Sequence, residues 1–190
     1  MKFRYLVASV LLALPLAAQS KGEKPVSVVL ETSQGAITLE LDSAKAPKSV
    51  ANFVEYVKAG QYDGMIFHRV IPGFMAQGGG YDANYREKST RAPVVNEGKN
   101  GLKNARGTIA MARTNDPDSA TAQFFINLVD NEFLNASGGR AGYAVFGKVT
   151  AGMDVVDKIA AIPTGAGGPF GSDVPKTAVT ITKARVVEGK

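Results

Sequence analysis

The segment at positions 67–80, FHRVIPGFMAQGGG, gathers side chains with complementary chemistry. It holds the only histidine of the chain, the fixed cation Arg69, the apolar side chains Phe74 and Met75, and the amide of Gln77, and it ends in three glycines. A guanidinium donates up to five hydrogen bonds and keeps its proton, while a glutamine amide both donates and accepts. Apart from the histidine, these side chains include no nucleophile. They suit a reaction in which no covalent bond is broken.

His68 invites a catalytic or metal-binding role, because histidine is a common general base and metal ligand. Zinc sites need three or four such ligands, whereas the chain has one histidine and no cysteine. The residue composition alone does not exclude a serine triad with His68 as base, although no Gly-x-Ser-x-Gly motif occurs. The glycines at 78–80 and in GAGGPFG at 165–171 lack the ending of a phosphate-binding loop. We predict no metal, no cofactor, and a structural His68 with satisfied hydrogen bonds.

The elements that must position these residues are short. VSVVLETSQGAITLELD predicts two strands joined by a turn at 33–35, and APKSVANFVEYVKAG predicts an amphipathic helix from Pro47 to Gly60. Strand-like runs follow at 74–78, 107–112, 122–129, 144–149 and 178–187, and a second helix is predicted at 152–162. Segments 81–106 and 163–175 read as long irregular loops. This pattern favours one mainly β domain, an antiparallel closed sheet or a sandwich with helices covering its open ends.

The first twenty residues predict a secretory signal peptide. Lys2 and Arg4 precede an apolar run at 5–16, and Ala18-Gln19-Ser20 fits a cleavage site after Ser20. A membrane anchor is the alternative, but that run is shorter than the roughly 20 residues of a spanning helix. The mature domain would be 21–190, with no membrane insertion once the leader is removed.

The charge of the mature chain is mild. Removing Lys2 and Arg4 lowers the formal net charge from +5 to +3. Basic residues are scattered without an aromatic-lined stripe, so we predict no nucleic-acid partner. The absence of cysteine excludes disulfides and cysteine-linked lipids.

The run FHRVIPGFMAQGG resembles the signature of the cyclophilin family of peptidyl-prolyl cis/trans isomerases. The resemblance continues in register through GTIAMAR, AQFFI, FLN and FGKV and spans residues 26–187. Together with the leader, it is most similar to the exported bacterial cyclophilins of the periplasm. It implies a closed eight-stranded antiparallel β-barrel capped by two α-helices. It also implies a monomer that accelerates folding of proline-containing unfolded or exported polypeptides.

Position by position, the resemblance implies a catalytic role for Arg69. The implied substrate-binding residues are Phe74, Met75, Gln77, Ala112, Arg113, Gln123, Phe125, Phe133, Leu134 and Tyr143. Two of these depart from many eukaryotic relatives, which have tryptophan at Phe133 and histidine at Tyr143. Loss of the indole donor implies weak cyclosporin binding, whereas the effect of Tyr143 on rate is left open.

Two other functions stay open on the sequence. The same groove would serve a holdase or peptide-binding module that grips proline segments without turnover. A structural or adhesive envelope barrel would also fit the fold. Taken singly, the apolar site residues are better explained as an ordinary barrel core, and only their joint occurrence in register favours the isomerase.

Overall fold

The computed structural model describes residues 25–187, so the predicted leader and its cleavage site lie outside the described residues. Within these residues, ten strands, two α-helices and one short 3-10 helix follow one another. They are β1 (Val26–Thr32), β2 (Gly35–Leu41), α1 (Pro47–Lys58), β3 (Arg69–Ile71), β4 (Met75–Gly78), β5 (Thr108–Met111), β6 (Phe124–Asn127), the 3-10 helix Glu132–Leu134, β7 (Val145–Ala151), α2 (Met153–Ala161), β8 (Thr164–Gly167), β9 (Phe170–Pro175) and β10 (Ile181–Val187). The predicted strands and both helices are confirmed to within a few residues.

Eight of the strands form one antiparallel sheet in the order β10-β1-β2-β7-β5-β6-β4-β3. The sheet curls strongly into a half-barrel, but its edge strands β3 and β10 do not pair with each other, so the predicted closed barrel is not confirmed. Closure needs a continuous ladder between the first and last strands, and β3 has only three residues. The two edges meet just before these strands, where Ile66 and Thr180 form an isolated bridge.

The main core fills the concave side of the curl. Alternation along β1 and β2 directs five fully buried side chains inward, namely Val28, Leu30, Ile37, Leu39 and Leu41. Burial of each aliphatic side chain of this size contributes about 1.5–3 kcal/mol. The curled sheet therefore closes around a single apolar interior, and the opposite face of its strands is available for a site.

Helix α1 packs into this interior through its apolar stripe. Phe53 lies at its centre, with ring centroids 5.1 Å from Tyr62, 5.6 Å from Phe124 and 5.1 Å from Phe146. The residue before the helix, Ala46, supplies no side-chain cap. The cap comes instead from a distant loop.

Glu97 satisfies the exposed N–H groups at the start of α1. Its carboxylate accepts hydrogen bonds from the backbone N–H of Lys48 (3.1 Å) and from the N–H and hydroxyl of Ser49 (2.8 and 2.7 Å). A negative charge at a helix N-terminus is favourable, because the first N–H groups have no partner within the helix. The long segment 81–106 is thereby tied to the core.

Helix α2 covers the sheet near β2 and buries Val155, Val156 and Ile159. Its exposed side carries the expected i,i+4 ion pair, with Lys158 Nζ 3.2 Å from a carboxylate oxygen of Asp154. Within residues 25–187, neither helix is long and apolar enough to span a membrane.

The prediction that segment 163–175 is an irregular loop is wrong. It forms the hairpin of β8 and β9, which turns at Gly168 with a φ of +50°. The hairpin is not evident from the sequence, because its glycines and prolines interrupt the alternation of apolar and polar residues. The hairpin is held by Phe170, whose ring lies 5.6 Å from that of His68 and 5.1 Å from that of Tyr81.

Candidate active site

A row of cross-strand partners runs across the outer face of four strands and onto the fifth. Arg69 of β3 pairs with Gln77 of β4, Gln77 pairs with Phe125 of β6, Phe125 with Ala110 of β5, and Ala110 with Val145 of β7. Directly opposed residues project from the same face of a sheet. Their chain neighbours belong to the main core on the other face, namely Val70, Ala76, Phe124, Ile109 and Phe146. The strand register therefore places a cation, an amide and an apolar surface side by side.

The apolar part of this face is a small cluster separate from the main core, called here the outer cluster. Its buried members are Met75, Ala110, Phe125, Leu134 and Val145, and its partly buried members include Phe74, Ala112 and Tyr143. These side chains could have belonged to the barrel interior. The outer cluster instead leaves partly exposed apolar surface that another molecule can contact.

Arg69 lies at the edge of this surface with 42% of its side chain exposed. Its Nη1 is 3.5 Å from Oε1 of Gln77, and its Nε is 3.9 Å from a carboxylate oxygen of Asp173 on β9. Asp173 has a φ of +66°, an uncommon conformation for a residue other than glycine. Both contacts are long, so the guanidinium is oriented while most of its donors stay available.

The two glutamines form one hydrogen-bonded pair beside the guanidinium. Nε2 of Gln77 donates to Oε1 of Gln123 over 2.9 Å. The last of the three glycines makes this possible, because a Cβ at Gly80 would lie 2.5 Å from Cδ of Gln123. Gly79 has a φ of +81°, and a Cβ there would crowd Tyr62 and Phe124. The glycines thus give room to Gln123 on one side and to the core aromatics on the other.

Phe133 and Phe74 form the rim of the outer cluster. Phe133 is 60% exposed, and its ring stacks on that of Phe74 with centroids 5.6 Å apart. The 3-10 helix that carries Phe133 turns the next residue, Leu134, inward to 8% exposure. One short element therefore supplies both a buried wall and an exposed aromatic edge.

Tyr143 forms the opposite wall. Its ring meets that of Phe125 edge to face at 5.7 Å, and the guanidinium carbon of Arg113 lies 4.4 Å from its centroid. Nε and Nη2 of Arg113 also donate to the carbonyl of Gly142 at 3.2 and 3.1 Å. The side chain of Arg113 is thus engaged in holding Tyr143 in place.

Ala112 lies between these walls, and its backbone N–H already donates to the carbonyl of Gln123 over 3.0 Å. The implied main-chain contact at residues 112–113 therefore cannot use this N–H group without breaking a sheet-like hydrogen bond.

A cavity of about 400 Å³ lies next to Gln123 and is lined by Glu87 and Lys88 among others.

Comparison with known proteins decides the family. The model of the cyclophilin type peptidyl-prolyl cis-trans isomerase family matches residues 27–186. This chain belongs to the cyclophilin family. It is therefore a peptidyl-prolyl cis-trans isomerase, a family whose substrates are proline-containing peptides.

Bacterial relatives of this cyclophilin share more than half of the aligned residues. A peptidyl-prolyl cis-trans isomerase of Acinetobacter baylyi is 58% identical over 159 residues, which cover 84% of each chain. Peptidyl-prolyl cis-trans isomerase A of Dickeya dadantii is 55% identical over 85% of this chain and 84% of the relative. Peptidyl-prolyl cis-trans isomerase B of Escherichia coli is 52% identical over 85% of this chain and 99% of the relative.

Solved structures share the fold. A cyclophilin type peptidyl-prolyl cis-trans isomerase of Cryptosporidium parvum superposes with a TM-score of 0.73 at 25% identity, covering 88% of this chain and all of that one. A second structure of that protein, determined in the presence of the dipeptide Ala-Pro, gives a TM-score of 0.71.

The structure of this cyclophilin brings all eleven expected site residues to one face, but in different settings. Met75, Phe125 and Leu134 are buried, Phe133 is exposed, and the other seven are partly buried. Sequence reasoning missed Asp173, because it lay in a segment read as a loop. It also missed a set of asparagines buried beneath the surface between Phe74, Leu134 and Tyr143, called here the groove. Asparagines at these spacings form no helix or strand pattern in the sequence.

His68 is 2% exposed, as expected of a structural residue, and its ring packs 4.8 Å from that of Tyr81. The expectation that its hydrogen bonds are satisfied is not confirmed, because Nδ1 has no partner among the described residues. Burial, with a smaller contribution from the charge of Arg69, lowers the pKa of His68 to about 4. His68 is therefore neutral at physiological pH, and its ring packs against those of Tyr81 and Phe170 just before β3.

Proposed function

We propose that the outer face binds a proline residue of a substrate polypeptide and that Arg69 stabilises its peptide bond in the twisted state. The proline ring lies on the outer cluster, and the guanidinium faces the prolyl nitrogen. The observation that carries this proposal is the register that puts Arg69, Gln77 and Phe125 in one row. The Ala-Pro dipeptide used with a structural relative is consistent with a small proline-binding surface.

The chemistry needed is modest. Amide resonance imposes a rotation barrier of about 18–20 kcal/mol. The cis and trans forms of an X-Pro bond differ by only about 0.5–1 kcal/mol, so uncatalysed exchange takes about 10–100 s. The enzyme must bind the twisted amide more tightly than either planar form.

Arg69 supplies this preference. When the C–N bond twists, the lone pair of the prolyl nitrogen leaves conjugation and becomes a better acceptor. A hydrogen bond from a charged donor contributes about 1.5–3 kcal/mol, and a preorganised donor in a dry site about 2.7–4 kcal/mol. Because one arginine covers only part of the required stabilisation, the Gln77–Gln123 pair and the exclusion of water from the site must contribute the rest.

The groove holds one side of the rotating bond. Met75, Phe125 and Leu134 offer the ring a buried apolar wall, while the Gln77–Gln123 pair offers donors and acceptors to the substrate backbone. With the ring fixed, the acyl side rotates. Exclusion of water by the apolar walls also strengthens the contact with Arg69.

Replacement of Arg69 by alanine tests this proposal. Arg69→Ala should lower kcat/KM for a proline peptide by at least about tenfold, because the lost hydrogen bond is worth about 1.5–3 kcal/mol in the transition state. The matched control is Arg185→Ala, since Arg185 is also exposed and ion-paired (3.1 Å to Glu31) but lies on β10 at the other end of the sheet. NMR exchange spectroscopy measures the rate directly.

The controls separate the alternatives. If Arg69→Ala isomerises as fast as Arg185→Ala, the catalytic role is refuted. If Arg69→Ala weakens peptide binding as much as it slows isomerisation, Arg69 binds the planar and twisted states alike and does not supply the preference for the twisted state.

We further propose that the chain acts as a monomer in the periplasm on unfolded or exported polypeptides and thereby assists their folding. The support is the predicted signal peptide at 1–20 and the similarity to bacterial cyclophilins. Cell fractionation and the mass of the exported protein test both export and cleavage after Ser20. Retention of the full-length mass in the exported fraction would contradict cleavage.

Weak cyclosporin binding is proposed from Phe133. Its ring lies exposed on the rim and has no N–H donor. Phe133→Trp should tighten inhibition by cyclosporin by about tenfold, the worth of one hydrogen bond. Equal inhibition of the two proteins would contradict this proposal.

A further inference from the structure

Three asparagine side chains are buried beneath the groove. Asn104 is 1%, Asn127 0% and Asn131 2% exposed. A buried amide is costly unless it is hydrogen-bonded, so such residues are retained only where their bonds are made. Each of these amides has partners at hydrogen-bond distance, and two of them, Asn131 and Asn104, reach backbone carbonyls in the walls of the groove.

Asn131 has an unusual role for its position. It precedes the 3-10 helix Glu132–Leu134 at the N-cap, where asparagine commonly caps, yet it makes no side-chain cap. Its Nδ2 instead donates to the carbonyl of Phe74 over 2.9 Å and to Oδ1 of Asn127 over 2.8 Å. Asn131, which precedes the 3-10 helix of one wall, therefore binds the backbone of Phe74 in another wall.

The chain of amides continues to the third wall. Nδ2 of Asn127 donates to Oδ1 of Asn104 over 3.2 Å and to the hydroxyl of Thr108 over 2.9 Å. Asn104 in turn donates to Oδ1 of Asn135 from its backbone N–H (2.7 Å), and its Nδ2 lies 3.4 Å from the carbonyl of Tyr143. The backbone N–H of Tyr143 donates to the carbonyl of Leu134.

These contacts matter because the outer cluster is too small to fix its own walls. Only five of its members are buried, compared with the much larger main core on the concave face. Phe74 lies in a turn between β3 and β4, so apolar packing alone leaves its position relative to Leu134 weakly determined. The buried amides supply directional bonds where packing is thin.

We infer that Asn131 is a positioning residue of the isomerase, which sets the spacing between Phe74 and Leu134 and so the fit of the proline ring. The inference rests on the proposed role of the groove. Asn131 does not face the substrate and acts through Phe74. Because the walls hold the ring in the planar and twisted states alike, Asn131 governs KM more than kcat.

The test compares Asn131→Ala with Val156→Ala, a control that weakens the main core from α2. Both proteins are assayed well below their melting temperatures. We expect Asn131→Ala to raise KM by about tenfold and to change kcat by less than about twofold, whereas Val156→Ala should leave both unchanged. Asn131→Ser, which keeps a hydroxyl donor, should recover part of the loss.

A double-mutant cycle with Phe74→Ala identifies the route. If Asn131 acts through Phe74, Asn131→Ala should raise KM by less than about twofold when the ring at 74 is already absent. If the double variant raises KM by the product of the two single effects, the inference is overturned. So would a KM of Asn131→Ala equal to that of Val156→Ala, or failure of both Asn131 variants to fold, which would make the residue a determinant of the fold.

Arg69→Ala is measured in the same series. If it lowers kcat while Asn131→Ala changes nothing, only the positioning role fails. If Arg69→Ala is as active as the wild type, the proposed function itself fails.

Discussion

Acid should destabilise this cyclophilin through His68. Burial lowers the pKa of His68 in the folded protein to about 4, against an ordinary value of 6.5 in the unfolded chain. Between these values the unfolded chain binds a proton that the folded chain does not. The free energy of unfolding therefore has its full value above about pH 6.5, falls as the pH is lowered, and has lost the whole contribution by about pH 4.

The magnitude follows from the two pKa values. They differ by about 2.5, and each unit corresponds to about 1.36 kcal/mol, so the loss amounts to about 3 kcal/mol. Two carboxyl groups have a pKa below the ordinary value of 3.8. Hydrogen bonds from Lys158 to Asp154 and from the backbone of Arg86 to Asp82 lower the pKa of each carboxyl from 3.8, so their contributions are lost only as the pH falls through still lower values.

Urea unfolding followed by circular dichroism at a series of pH values between about 7 and 4.5 measures the effect. The comparison variant is His68→Phe, which keeps a ring against Tyr81 and Phe170 but cannot titrate. The wild type should lose about 2–3 kcal/mol over this range and the variant much less. The reasoning is refuted if the wild type loses less than about 1 kcal/mol or if the variant loses as much as the wild type.

Three further substitutions have defined outcomes. Gly80→Ala should displace the amide of Gln123 and lower kcat/KM by about tenfold, the worth of one hydrogen bond, with little change in stability. Glu97→Ala should lower the free energy of unfolding by about 1–2 kcal/mol, because the start of α1 loses its cap. Asp173→Asn should lower kcat by about fivefold while stability changes by less than about 1 kcal/mol, because the exposed pair with Arg69 orients more than it stabilises.

Each has a contrary outcome, and Gly80→Ala also has a matched control. Gly139→Ala adds a methyl group where nothing lies within 4 Å, so it should be silent, and equal activity of the two glycine variants would contradict the role of Gly80. Unchanged unfolding of Glu97→Ala in urea would mean that the loop does not cap α1. For Asp173, asparagine tolerates the left-handed conformation, so a kcat equal to that of the wild type would show that the carboxylate does not orient Arg69.

Most strands and both α-helices of this fold could be predicted from the sequence, because the residue patterns that indicate them are local. Alternating apolar residues in β1 and β2, and the 3.6-residue period that follows Pro47, depend only on which side of a strand or helix faces the core. The hairpin of β8 and β9 escaped because its stability comes from outside itself, through Phe170 packed on His68 and Tyr81. Closure of the barrel is not confirmed for a related reason, since no local sequence pattern indicates whether β3 and β10 pair.

By itself, the sequence determined the family, the order of the two α-helices and of the strands outside the β8–β9 hairpin, and the identities of the eleven candidate site residues. Only the tertiary structure decided which neighbours orient them: Asp173 beside Arg69, and the buried amide of Asn131 beneath Phe74. The physical reason is that periodicity records burial, which every core residue shares. A hydrogen bond between residues 57 positions apart depends instead on the folded path of the backbone between them.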